Sequence, residues 1–589
     1  FLFLAWMRGH EPSIHGLEKF MDFGFMNSIL RSNHFPPIDM WLPPRSINYY
    51  YFGHLTGSVL IKLSQIKPSI GYNLVLATIF AQGITLTFSF IINLILSLKS
   101  RINTIKLTVF GLVGAFIVNL GGNLHAIYLF TKGYPNENPV PFWTILSWFN
   151  PTHYWYPNAT RFIPFTIHEF PSYSYVVADL HGHVFDIPFV LLTLTLLFVF
   201  FTNKKLHNSS PASPAGGFVI RNSILFGFLT AIHYMTNAFD GPIYLLLIFL
   251  CYVSLFKFSK RFFLSIGVTI ASFIAFSLPF TLTFQPFANG IAMNCAPQFL
   301  ITLKKIGPFL FEADKCQPSA LWMLFVLWGF FLINFILFAL SIFTGKKRET
   351  PEQSDFFIFI LFFLGTILIL IPEFFYVKDI YPAHFRANTM FKLGYQAFIM
   401  MGIASTYALF RMSKVKRVVF SLPFFLIVLY PFFSFPSYYS LDSKNKVQLD
   451  GIEWLTETYL EDKQIVEYLN TQIKDQPVIL EAQGDSYTDH GRISANTGLP
   501  TVAGWQVHEW LWRGSHKVVG DRIPDIEAMY ESHDVNKTKN LLKKYHVQYI
   551  VVSQLERKKY KKLYDDKFRV LGKKIFESSN GFGALYQVK

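Results

Sequence analysis

Two segments of this 589-residue chain bring acids and histidines together at spacings that suit chemistry. In "GLEKFMDFGFMNSILRS" Glu18 and Asp22 are four residues apart. On a helix that spacing puts both carboxylates on one face, a pair fit to bind a divalent cation or to divide acid and base roles. In "ADLHGHVFDIPF" a helix would bring Asp179 to His183, whereas an extended segment would bring Asp179, His181 and His183 together. Either arrangement can ligate a metal such as Mg or Mn, or move protons. The plainer reading is a solvated face beside Lys19 for the first segment and the polar end of a helix for the second. An aspartate at bilayer depth costs roughly 2.5 to 3.5 kcal/mol, so acids adjoining "VLLTLTLLFVFF" call for partners.

Other candidates lie further along. "MTNAFDGPIY" sets Asp240 at a helix junction, and "YPAHFRANTMFKLGYQAF" sets Arg386 and Lys392 where an apolar run begins. Positive charge there opposes the bias that orients membrane chains, which suits an anionic ligand such as a phosphate; snorkelling is the alternative for Lys392. "ILEAQGDSYTDHGRISANTGLPTVAGWQVHEWLWRG" gathers Tyr487, Arg492, Trp505, His508, Glu509 and Arg513. Such a stretch resembles a ligand-binding lip, in which aromatics stack on sugar faces and Arg and Glu bond hydroxyls, or else a packed aromatic corner.

The elements that must position these groups are mostly membrane-spanning. Hydrophobic residues make up 52% of the chain and charged ones only 15%, against about a quarter charged in soluble proteins. Apolar runs at 72–98, 106–130, 187–203, 218–236, 241–257, 262–283, 320–344, 355–372, 393–410 and 418–434 reach or approach spanning length. The opening "FLFLAWMRGH" reads as the tail of a further crossing, giving about eleven. Lys/Arg clusters at 99–106, 204–221, 257–261, 346–348 and 411–417 occupy every second loop, so the large loops 8–71 and 131–186 and everything after 435 face the extracytoplasmic side. Segment 54–66 is too short to span and reads as interfacial or re-entrant. The formal charge of +15 is explained by these clusters and the C-terminal part rather than by a nucleic-acid partner.

From about Ser443 the composition turns charged and amphipathic. "PVILEA" and "VQYIVVS" predict strands, "NKTKNLLKKY" a helix, and the end of the chain strands about an Asn-Gly turn. The fold class expected is therefore mainly α: a polytopic transmembrane domain over 1–434 followed by a small extracytoplasmic α/β domain over 435–589. Cys295 and Cys316 share one inter-helix segment and either pair, if that segment is extracytoplasmic, or remain free thiols.

The blocks "EKFMDFGFMNSILRSNHFPPIDMWLPPRSINYYYFGH", "HEFPSYSYVVADLHGHVFDIPF", "TNAFDGPIY", "FRANTMFKLGYQAF" and "TGLPTVAGWQVHEWLWRG" follow one another along nearly the whole chain. In that order they resemble the YYY membrane protein family, named for a motif that is here Tyr49, Tyr50 and Tyr51. That family is grouped with the GT-C superfamily of integral-membrane glycosyltransferases. The resemblance implies a catalytic carboxylate in a large first outer loop, a polyprenyl-phosphate sugar donor, an extracytoplasmic acceptor, often a divalent metal, and a multi-pass protein of the cell membrane in contact with lipid. Carried over, Asp22 would be the base. Glu18, or Asp179 with His181 and His183, would bind metal or position the acceptor, and Arg386 with Lys392 would neutralise the departing phosphate. Tyr49, Tyr50, Tyr51, Glu169 and Asp240 join the substrate-binding candidates. The first loop departs from the superfamily pattern in having no Asp-x-Asp or Glu-x-Asp pair, only Glu18, Asp22 and Asp39. The rival class is a transporter or channel for a polar or anionic solute, with intramembrane Asp, His and Arg lining its path.

Overall fold

The computed structural model describes residues 1–98, 102–203, 214–288, 290–343, 352–413, 417–418, 420–440 and 447–589. Lys99, Arg101, Lys204, Lys205, Lys346, Lys347, Arg348, Lys414 and Lys416 of the basic clusters, and the composition change near Ser443, lie outside the described residues.

Three helices open the chain: α1 (Leu2–His10), α2 (Lys19–Arg31) and α3 (Phe52–Ser64). The apolar runs then form α4 (Pro68–Leu96) and α5 (Thr104–Asn119), the short α6 (Pro171–Val177), and α7 (Gly182–Phe201), α8 (Pro214–Thr236), α9 (Asp240–Phe256) and α10 (Lys260–Thr281). They continue as α11 (Leu321–Phe343), α12 (Gln353–Phe374), α13 (Ala387–Arg411) and α14 (Ser421–Tyr438). Among the described residues eight helices are long and apolar enough to cross a membrane, namely α4, α7, α8 and α10 to α14. α5 and Leu124–Phe130, bent by 82° from one another, form a broken span or a re-entrant pair, and α9 is shorter at 17 residues, so the eleven crossings expected are not all present as long helices among the described residues. The bend falls at Gly121-Gly122, where a Cβ on Gly122 would meet Cβ of Tyr430 at 2.4 Å, so glycine lets the chain turn against α14.

The central helix is α13, buried along its whole spanning stretch and packed on α4, α5, α11 and α12. Because none of its faces meets lipid, it can carry Lys392, Gln396, Ser405 and Thr406 inward. The end of α4 meets the start of α12 through Ser97 and Ser354, and Arg411 Nη2 donates to Asp355 Oδ2 at 2.9 Å. These ends flank the Lys/Arg clusters and lie together at one end of the bundle. The segments carrying Glu18, Asp179 and Lys392 gather at the other, the separation that charge alternation predicts. At that second end a small sheet of β1 (Ile291–Met293), β2 (Lys305–Ile306), β3 (Phe309–Leu310) and β4 (Phe375–Val377) runs in the order β2-β3-β1-β4. Cys295 and Cys316 pair as a disulfide beside it.

The C-terminal part is built on β5 (Val478–Leu480), β6 (Val547–Val552), β7 (Gly572–Glu577) and β8 (Ala584–Val588), in the order β5-β6-β8-β7. β5 and β6 are parallel and the other pairs antiparallel, with Asn580-Gly581 between β7 and β8. Strands and the Val535–Lys544 helix, capped by Asp534, fall where the sequence pattern puts them. The helices of this part include α15 (Leu460–Gln472), α16 (Arg492–Thr497) and α17 (Gln506–Arg513).

α2 is the seam between the two parts, buried from Lys19 to Ile29 between the bundle and α16. Lys19 is itself buried and donates to Tyr438 Oη at 2.8 Å, so the solvated face considered for this helix is not what forms. At its last residue Arg31 donates to the carbonyls of Thr497 (2.6 Å), Ile473 and Asp475 (both 3.0 Å) and Leu469 (3.3 Å), and to Asn470 Oδ1 (3.1 Å). Two of these acceptors, the Leu469 and Ile473 carbonyls, lie at the C-terminal end of α15, where a cation is favoured. Arg31→Ala is expected to lower stability by about 2 to 3 kcal/mol and to hasten proteolytic release of residues 447–589. Thermal unfolding and limited proteolysis in micelles check this; an unchanged midpoint and digestion pattern would remove Arg31 from the seam.

Candidate functional site

At the end of the bundle opposite the basic clusters, α2, α7, α13 and the C-terminal part enclose a cavity of about 580 Å³. Its wall includes Glu18, Tyr49, Tyr50, Glu169, Asp179, His181, His183, Lys392, Tyr487 and His508, all expected from sequence. Arg161, Asp379, His384, Asp485 and Trp512 join them unpredicted.

Glu18 precedes the first turn of α2, so its carboxylate swings outward while Asp22 stays inside the helix packing. Glu18 Oε1 accepts from Tyr487 Oη at 3.1 Å and lies 3.2 Å from His508 Nε2; Oε2 lies 3.1 Å from His181 Nδ1. Burial alone would raise this carboxyl, but His181 and His508 hold it down to about 2. Asp22 is fully buried, with Oδ1 2.7 Å from His54 Nε2 and Oδ2 3.6 Å from His181 Nδ1. It does not line the cavity. The base assigned to Asp22 therefore has no route to a ligand there, and Glu18 is the carboxylate that faces one.

His181 passes the contact on. Its Nε2 lies 2.6 Å from Tyr49 Oη, which donates to Tyr50 Oη at 2.7 Å. Tyr51 instead packs on Phe35 and Phe280, off the cavity. Lys392 Nζ is buried over the rings of Tyr50 (5.6 Å) and Phe391 (4.7 Å) and has no hydrogen-bond partner. Such a cation is ready for an anion.

The "ADLH" stretch, Ala178 to His181, is neither helix nor strand. Ala178 takes a left-handed φ of +56°, His181 is extended, and α7 begins at Gly182, where a Cβ would meet the Thr236 carbonyl oxygen at 2.3 Å. The three expected metal ligands consequently separate. His181 faces Glu18 and Asp22, His183 Nε2 faces Ser174 Oγ at 3.3 Å, and Asp179 Oδ1 is buried without a partner. Among the described residues no group of three or more His, Cys, Asp or Glu side chains is arranged to hold a metal ion. Burial, then Asp22 and Glu18, push the Asp179 carboxyl well above its ordinary range, so it keeps its proton while Glu18 stays charged.

Several candidates are engaged elsewhere. Arg386 lies 3.0 Å from Glu373 and bonds Ser319, away from the cavity wall. Asp240 accepts from Gln396 at 2.8 Å inside the bundle. Arg492 is enclosed by Asp462, Glu556 and Ser553, Arg513 by Asp39 and Glu509, and Trp505 packs on Trp41 while donating to the His490 carbonyl. Glu169 lines the cavity paired to Arg161 at 2.9 Å. His54 escapes sequence reasoning although it ends the "YYYFGH" block, because nothing in the sequence marks it as the partner of Asp22.

The family model described as "Uncharacterized membrane protein (DUF2298)" matches residues 1–355 and 339–401. The chain belongs to this family. It is a membrane-protein family, as the ordered blocks of the sequence suggest, and the matched residues include every cavity group from Glu18 to Lys392. Among solved structures the chain is similar to the archaeal oligosaccharyltransferase AglB from Archaeoglobus fulgidus in complex with an inhibitory peptide and a dolichol-phosphate. The identity is 11% and the TM-score 0.39, covering 98% of this chain and 71% of that one. It is also similar to ArnT from Cupriavidus metallidurans in the apo state, at 10% identity and a TM-score of 0.42, covering 100% and 96%. No curated protein matches the sequence.

A folded-state value below that of an ordinary glutamate means that the Glu18 contacts stabilise the fold fully above about pH 4.5. That contribution is lost as pH falls toward 2. Infrared difference spectra are expected to retain the Glu18 carboxylate band, identified by its loss in Glu18→Gln, at pH 4. In the double variant His181→Gln/His508→Gln the band should titrate at higher pH. A wild-type band already half protonated near pH 4.5 would contradict the contacts.

Proposed function

We propose that this chain is an integral-membrane glycosyltransferase of GT-C type, moving a sugar from a polyprenyl-phosphate donor to an extracytoplasmic acceptor such as a glycolipid, polymer or protein. One observation carries the reading: an ionised carboxylate, Glu18, and an unpartnered buried ammonium, Lys392, face one aromatic-walled cavity, and the ammonium is rooted in a spanning helix. A lipid-borne phosphate reaches such a cation from the bilayer, while a hydroxyl acceptor reaches Glu18 from the C-terminal side. In this reading residues 1–434 are the transmembrane unit and residues 435–589 cover it from the extracytoplasmic face of the cell membrane.

The chemistry is an in-line displacement with inversion. The acceptor hydroxyl, hydrogen-bonded to Glu18, attacks the anomeric carbon; the bond from that carbon to the phosphate oxygen breaks; the hydroxyl proton passes to Glu18. A carboxylate held near pKa 2 is a weak base, so the proton moves late, once attack has made the acceptor oxygen acidic. Lys392 and the Tyr50 hydroxyl stabilise the phosphate as its charge develops. His181 orients Glu18 from below, with Asp22 behind it. The carboxylates of Glu169, Asp379 and Asp485 outnumber Arg161 on the rest of the wall, which disfavours anions anywhere but at Lys392. No step here uses a metal. A transporter path would need the intramembrane acids to line the cavity, yet Asp186 is tied to His233 at 2.9 Å and Asp240 to Gln396, both off its wall.

In proteoliposomes given a polyprenyl-phosphate sugar and membrane acceptors, Glu18→Gln is expected to lower turnover by about 10²- to 10⁴-fold. Asp22→Asn should lower it less. Lys392→Met should weaken both donor binding and turnover. Full transfer by Glu18→Gln would sink the base role, and solute flux without transfer would replace the enzyme reading.

A further inference from the structure

Between Asn138 and Thr160 the chain carries no Asp, Glu, Lys or Arg, yet it holds Trp143, Trp148 and Trp155 among other aromatics. It is not a span. Its only helical pieces are the 3₁₀ turns Phe142–Thr144, Pro151–His153 and Tyr156–Thr160. Trp148 is 91% exposed, and Trp143, Leu146, Phe149 and Trp155 are each about half exposed. A patch of that kind facing water would be unusual for a folded protein.

Its depth is fixed by two ring contacts. Trp143 meets Trp322 edge-on at 6.1 Å in the first turn of α11, and Phe149 meets Phe433 at 6.2 Å near the end of α14. The neighbours of those rings, Leu321 and Phe432, point outward from the spanning helices, so the patch continues the lipid-facing surface at the cavity end of the bundle. Irregular backbone is not tolerated in bare hydrocarbon, because its amides need water or headgroups. Uncharged, Trp- and Tyr-rich segments are favoured at the headgroup level.

We propose that segment 141–156 is a lipid-contact surface lying in the bilayer interface at the cavity end, with Trp148 inserted toward the acyl chains. The occupant is the lipid of that leaflet, and the inference does not depend on what the cavity does. The loop runs on to Arg161 and Glu169 on the cavity wall, so the same segment that meets lipid leads to the site.

The test compares the full chain with Trp148→Phe, a change at an exposed position that leaves the packed rings intact, in vesicles of phosphatidylcholine with or without bromine on the acyl chains. The chain has eleven tryptophans, so the Trp148 signal is taken as the difference between the two proteins. That difference is expected to fall about two-fold or more in brominated vesicles, as an indole at interfacial depth should, and to resist aqueous iodide. A nitroxide on Trp148→Cys should likewise relax with oxygen more than with a water-soluble nickel complex. Quenching by iodide and not by bromine would overturn the proposal. Protection from both, as under a second protein chain, would overturn it too.

Discussion

The contact between His181 and the Glu18 carboxylate is the constraint on which the rest of the site depends. Where α2 enters the protein Asp22 is fully buried and Glu18, one turn before it, is only part-exposed, and a carboxylate so placed needs partners to remain ionised. His181 from the bundle, His54 from the first loop and His508 from the C-terminal part each supply a nitrogen to them. Meeting that need forces three distant stretches of chain to converge. The aromatic wall of Tyr49, Tyr487 and Trp512 closes around the result.

The seam follows from the same requirement. α2 is buried on nearly every side, which no helix of a membrane bundle alone would achieve at its edge, so the C-terminal part completes its burial. Asn27 donates to the Ala495 carbonyl, Arg31 closes the far end, and Gly498 passes so near the Asn27 backbone that a Cβ would meet its carbonyl carbon at 2.4 Å. The buried set of Arg492 with Asp462 and Glu556 then acts inside the C-terminal part, fixing α16 where it can bear on α2. Residues that looked like ligand contacts thus hold α2 and the wall of the cavity in place.

Much of this was legible because membrane physics is local. A run of apolar residues must be a helix, its length decides whether it crosses, and basic loops decide its direction; the spanning helices and the gathering of the acidic loops at one end follow from those rules. The strands of the C-terminal part were readable on similar local grounds, whereas the sequence left Cys295 and Cys316 either paired or free and the structure pairs them. Pairings across the chain were not. His508 lies 490 residues from Glu18, and no periodicity links them. The four-residue spacing did bring Glu18 and Asp22 to one face, where both carboxylates meet His181 Nδ1, but only Glu18, just before α2, lines the cavity. Ala178 in the left-handed region broke both periodicities offered for Asp179, His181 and His183.

What the geometry adds is a division among acids of one composition. Glu18 and Asp179 share a cavity wall, yet imidazoles surround the first, whereas at the second burial and like charge outweigh Lys19. The first keeps its charge and the second its proton. Two carboxyl groups of one cavity are thus pushed in opposite directions by their neighbours alone. Lys392 adds to that wall a buried nitrogen with no hydrogen-bond partner. Composition alone would have ranked these acids as equals; the histidines that reach only one of them make the difference.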